Sequence, residues 1–298
     1  MNQFIDALIT GVSIGAIYAL MAVALILVWR STRVVNFAQA GQAVFSTYLG
    51  LEIHRITNSY WLALIAAVLA GGVLGGLVDL LLIRPLLKKS GNGPEAAVAP
   101  VIATLGLLAV IQGVVAMWWG GEFRKYPTAF SAEGMSVFGT KIPFSPFDLF
   151  IVLVVIAVMI GFSQLFSRTG LGLAMRAGAF GPEVAALAGV RVRTVRTIGW
   201  SFAGAAGGVA GVLITPSTFL APNSLDLLLV FGFTAAVVGG LDSLVGGAIG
   251  GLVLGIGLAL ILQYAGASFT FMTAFIVLLA VLLLRPQGIF GKRGSRRA

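Results

Sequence analysis

The chain has 298 residues, 59% of them hydrophobic and 10% charged, with a mean hydropathy of +1.04, whereas soluble domains carry roughly 25% charged residues. A soluble globular fold is thereby excluded. The formal charge of +9 sits in short gaps between apolar runs, where it sets membrane topology rather than a nucleic-acid surface. With no cysteine, disulfide, thiolate and zinc-thiolate chemistry are excluded as well.

The first apolar run is too long for a signal-peptide core and lacks a basic leader, so it reads as an uncleaved span. In chain order the predicted spans are 4–29, 34–53, 60–83, 99–119, 148–167, 198–219 and 268–284, with a longer run at 226–264. The single histidine, His54, reads as an interfacial loop residue. Arg30 and Arg33 fill the first gap, Arg84, Lys88 and Lys89 the third, and Arg168 to Arg196 the long central one, while Lys292, Arg293, Arg296 and Arg297 fill the tail. These four gaps are assigned to the cytoplasm. The segment 120–147 balances Glu122 and Glu133 against Arg124, Lys125 and Lys141 and reads as an external loop.

Parity then constrains the run at 226–264, which has to enter and leave on the outer face. As one helix it would be about 58 Å long, enough for two crossings. The sequence "GGLDSLVGG" at 239–247 supplies the break, and a re-entrant hairpin satisfies the same parity. The expected fold is an all-α polytopic bundle of about eight or nine spans, one domain over 1–298, N-terminus outside and C-terminus inside. Forty glycines, often three or four apart, let the helices approach closely. Arg84-Pro85 and Arg285-Pro286 each end a span; internal duplication and independent helix-stopping both account for that echo.

The chemistry is mostly one of absences. No nucleotide-binding loop of the G-x-x-x-x-G-K-[ST] type is present, and no carboxylate pair, metal-ligand spacing or activated serine suggests an enzyme. Of the acids Asp79, Glu52, Asp226 and Asp242, Glu52 and Asp226 fall at predicted interfaces and Asp242 in the turn, which leaves Asp79 as the intramembrane candidate. It lies five residues from Arg84, so a helix-end ion pair competes with an ion-coupling role. Asn36, Gln39 and Gln42 fall three apart, which on a helix puts their amides on one face. With Asp79 they are candidates for a polar translocation path, and the amides alternatively for buried groups that join helices.

The central gap is the longest internal one. In "GPEVAALAG", 181–189, Pro182 suits a first helical turn and Glu183 its positive end. The short smooth helix that follows fits either a groove on another protein or a surface loop held by arginines at the headgroups. Here the chain resembles the membrane subunits of bacterial ABC importers, whose signature is E-A-A, three residues and Gly; Glu183, Val184, Ala185 and Gly189 match it with Val for the first Ala.

Further stretches, "GVSIGAIYALMAVALILVWRSTRVVNFAQAG" at 11–41, "VIATLGLLAVIQG" at 101–113, "GLGLAMRAGAF" at 170–180, "FTAAVVGGLDSLVGGAIGGLVLG" at 233–255 and "LLLRPQGIFG" at 282–291, resemble the branched-chain amino acid permease family, H-type subunit. The resemblance implies that 168–197 is a cytoplasmic coupling loop in which Arg176, Glu183, Ala185 and Gly189 meet an ATPase, and that 286–298 is a basic cytoplasmic tail. It also implies a second permease, two cytoplasmic ATPases that bind the ATP, an external solute-binding protein and an inner-membrane location, with no cofactor in this chain. Where the family commonly has His-Gly in NFAHG, this chain has Gln39 and Ala40, which leaves urea or a short amide beside leucine, isoleucine and valine as solute.

Overall fold

The computed structural model describes residues 2–89, 95–137 and 140–291; the tail cations Lys292, Arg293, Arg296 and Arg297 lie outside the described residues. The described chain is helical: α1 (Asn2–Thr32), α2 (Gln39–Thr57), α3 (Tyr60–Val78), a π-helical turn (Asp79–Ile83), α4 (Arg84–Lys89), α5 (Glu95–Trp119), α6 (Pro146–Arg168), α7 (Gly170–Phe180), α8 (Pro182–Leu187), α9 (Val192–Thr218), α10 (Asp226–Gly239), α11 (Leu244–Tyr264) and α12 (Ala267–Leu284). Among the described residues seven helices are long and apolar enough to cross a membrane. A short antiparallel pair, β1 (Ser136–Val137) with β2 (Thr140–Lys141), lies inside the segment read as the external loop, and Arg124 of the same segment makes an isolated antiparallel bridge to Leu220.

Helix starts follow the sequence signals. Ser59 accepts from the amide of Leu62 to cap α3, and Thr169 accepts from that of Gly172 to cap α7. At α6 the capping is reciprocal: the Ser145 amide donates to Asp148 Oδ2 at 2.8 Å and the Asp148 amide to Ser145 Oγ at 3.0 Å, with Pro146 in the first turn.

Two predicted spans are corrected. The run at 34–53 is not helical at its start: α1 ends at Thr32, and α2 begins only at Gln39 after an irregular stretch. The span expected at 198–219 begins earlier, at Val192, because "VRTVRTI" at 192–198 contains no glycine or proline and its arginines can extend from the helix end. His54 lies in the last turn of α2 rather than in a loop.

The long apolar run divides where its glycines are. α10 has 14 residues, about 21 Å against a hydrocarbon core of about 30 Å, so it is too short to cross as a straight helix. Residues 240–243 turn the chain into α11, where Ser243 accepts from the Gly246 amide at 2.9 Å.

The helices gather into two compact units. One comprises 1–26, 130–159 and 230–298; there Tyr18 packs on Phe231 at 5.1 Å between ring centroids, and Phe231 on Phe271 at 5.6 Å. The other comprises 27–129 and 160–229, and its centre is the crossing of α3 with α9. A Cβ on Gly71 would overlap the carbonyl oxygen of Gly204, and one on Gly204 that of Gly71. Backbone against backbone is how helices associate when lipid offers no hydrophobic gain. Trp200 of α9 is fully buried beside this crossing.

Candidate functional site: a capped surface helix, a buried amide knot and a basic cavity

The segment expected to couple to a partner forms one and a half turns. Pro182 opens α8 and Glu183 sits in its first turn. Gly189 ends it with φ of +84°. The Gly189 amide donates to the Ala186 carbonyl and the Val190 amide to that of Ala185, both at 3.0 Å. This is a Schellman cap, and the left-handed residue it requires is usually glycine. The fixed distance from Glu183 to Gly189 is thus the length of one capped helix. Ala185 is buried and holds α8 in place, while Val184 is 71% and Leu187 90% exposed. Those two lie three residues apart, on one face. Arg176 is also exposed, and its Nε donates within α7 to the Gly172 carbonyl at 3.3 Å.

The three amides expected on one helical face do meet, though Asn36 lies in the turn before α2 rather than on it. Asn36, Gln39 and Gln42 are fully buried. Asn36 Nδ2 donates to Gln39 Oε1 at 3.0 Å and approaches Gln42 Oε1 at 3.5 Å, and Asn36 Oδ1 accepts from the Ala38 amide. Gln39 Nε2 donates to the Ala203 carbonyl of α9 at 2.8 Å. Thr104 of α5 completes the knot, accepting from the Phe37 amide at 3.3 Å. Gln42 Nε2 is buried without a partner.

Asp79 is elsewhere and belongs to a different arrangement. Its carboxylate is fully buried. Arg84 Nε donates to Oδ2 at 3.2 Å and Arg196 Nε to Oδ1 at 2.8 Å. Thr197 Oγ1 donates to Oδ2 at 2.6 Å and itself accepts from Arg84 Nη2. The pairing with Arg84 agrees with the expected helix-end pair, and the π-helical turn explains its spacing. Residues five apart diverge on an α-helix, whereas i→i+5 geometry brings them together.

Arg196 corrects one expectation. It is not a headgroup anchor but a half-buried partner of Asp79, with 17% of its side chain exposed. Sequence reasoning missed Thr197 and Thr104, because neither a threonine at the edge of a basic gap nor one inside an apolar run gives a signal. The two arginines, with Lys88 and Arg193, line a cavity of about 390 Å³. Among the described residues no cluster of His, Asp or Glu could hold a metal ion.

A family model and sequence relatives agree on one family, and a solved structure shares the fold alone. The family model described as the permease component of branched-chain amino acid transport systems matches residues 7–284. The probable branched-chain amino acid transport permease protein LivH of Methanocaldococcus jannaschii is 30% identical over 283 residues, covering 91% of this chain and 88% of the relative. The high-affinity permease protein BraD of Pseudomonas aeruginosa is 26% identical, covering 97% and 96%. The solved structure of PsaBC from Streptococcus pneumoniae in complex with Fab shares the fold at a TM-score of 0.52 and 14% identity, covering 96% of this chain and 93% of that one. This polytopic helical chain, a transport permease and not an enzyme, belongs to the permease component family of branched-chain amino acid transport systems.

Proposed function

We propose that the chain, read as one permease domain over 1–298, is a membrane-spanning subunit of an ATP-driven importer in the inner (plasma) membrane. It works with a second permease of the same family, two cytoplasmic ATPases that bind the ATP, and an external solute-binding protein. The solute is leucine, isoleucine or valine, or a small amide such as urea. In this reading the N-terminus and the loop 120–147 face outward, while the loop 168–197 and the tail 286–298 are cytoplasmic, as the basic gaps favour.

The observation that carries the proposal is α8. It is opened by Pro182 and closed by the Schellman cap at Gly189, seated by Ala185, and leaves Val184 and Leu187 exposed. Two exposed apolar side chains on a short preorganised helix fit a groove on a partner protein. Glu183 and the exposed Arg176 flank the contact and Gly189 fixes its length.

For the path, Gln42 is the residue with an amide donor left to offer a solute. Asn36 and Gln39 position it from the same knot. Asp79, which an ion-coupled carrier would use, is held by Arg84, Arg196 and Thr197, so that alternative gains no support.

Leu187→Asp tests coupling without touching the core. Association with the ATPases should weaken at least about tenfold, as for an interface anchor, and uptake should fall with it while the purified chain keeps its melting temperature. Unchanged association and uptake would remove the coupling role.

A further inference from the structure

The basic cavity beside Asp79 is unused by anything above. Arg84, Pro85, Leu87 and Lys88 form one wall and Arg193 and Arg196 the other. Four cations face a single carboxylate, and that carboxylate is already engaged through both oxygens. Lys88 and Arg193 are exposed, while Arg84 and Arg196 are held in position by Asp79 and Thr197. Two preorganised guanidinium groups and two exposed cations around one space are the donor set for a phosphate group.

The rest of the wall says what carries that phosphate. Pro85 and Leu87 bring apolar surface into the same cavity, and one turn back Leu80 is 42% and Leu81 73% exposed. A soluble phosphate ion has no use for that surface; acyl chains do. The cavity also lies at the end of a span, the level at which headgroups sit.

We infer that this cavity binds the phosphate headgroup of an anionic phospholipid, with Lys88 and Arg193 as the cations that select charge and Arg84 and Arg196 as the fixed floor. Bound lipid would also screen the two arginines from each other and secure the Asp79 knot that joins α3 to α9. The inference is independent of the coupling reading, because it concerns the chain alone.

The test uses the full purified chain in neutral detergent, titrated with phosphatidylglycerol or phosphatidylcholine and followed by native mass spectrometry. Phosphatidylglycerol should be retained and phosphatidylcholine lost. Lys88→Gln and Arg193→Gln should each weaken phosphatidylglycerol binding about fivefold and together about thirtyfold, with unchanged helicity. Arg168→Gln, an exposed arginine outside the cavity, should have no effect.

Equal retention of both lipids, or an equal loss with Arg168→Gln, would overturn the inference. Displacement of phosphatidylglycerol by equimolar inorganic phosphate would assign the cavity to a free anion instead of a lipid. If the double variant keeps its lipid but loses ATPase association, the cavity belongs to a protein partner and the lipid reading fails.

Discussion

Two breaks interrupt the helices, and they are made in opposite ways. Residues 33–38 open the way to α2 with polar side chains: Asn36, Gln39 and Gln42 close the gap with their own amides, and α5 and α9 contribute Thr104 and the Ala203 carbonyl. Residues 240–243 separate α10 from α11 mainly through backbone, with Ser243 Oγ as the cap of α11. Gly240 takes φ of +102°, and the amides of Ile289 and Phe290 donate to the carbonyls of Val238 and Gly239 at 2.8 and 3.1 Å. In both, backbone groups that a broken helix frees find partners within the protein, as the absence of water favours. The lesson is that a break can be secured by filling it or by emptying it, so the same kind of substitution has opposite effects at the two sites.

The largest expected effect comes from filling the empty one. A Cβ on Gly240 would stand 2.8 Å from the Gln287 carbonyl oxygen and 2.9 Å from the Gly291 amide, in a conformation side chains avoid. Gly240→Val should therefore cost about 4 kcal/mol from strain and overpacking combined. Thermal unfolding in detergent should show it, and a melting temperature unchanged from the parent would mean that the C-terminal segment does not clasp α10. At the other break, emptying is what harms. Gln39→Leu removes one bond to Asn36 and one to Ala203 and should cost about 2 kcal/mol. If urea or amide uptake then fell while leucine uptake survived, the knot would be a selectivity element besides a structural one. The smallest effect is Ser243→Ala, which removes the cap of α11 at about 1 kcal/mol. A loss as large as that of Gly240→Val would show that the second break depends on this side chain as much as on its backbone.

The two breaks also differ in how visible they are. The glycine break is written in "GGLDSLVGG", since clustered glycines and a serine N-cap are local signals. The amide break is not, because "STRVVNFAQAGQ" contains no glycine or proline before Gly41 and its hydropathy continues into the next run. Its cause lies in partners 67 and 164 residues away. The same holds for Asp79: the pair with Arg84 is local and legible, whereas Arg196 and Thr197 arrive from a helix more than a hundred residues on. At α8, proline, glutamate and glycine are all local signals, and the helix they mark is the one observed.

What the sequence determines by itself is what short-range physics controls: a membrane-embedded helical chain, the approximate spans, the capped helix at 182–187 and the glycine break. Tertiary structure alone decided that α2 begins late, that Arg196 turns inward, and that Gln42 keeps an unpartnered donor. Each of these depends on which distant group satisfies a buried polar atom. In a medium without water that choice is strongly enforced, yet nothing near the residue in sequence reveals it.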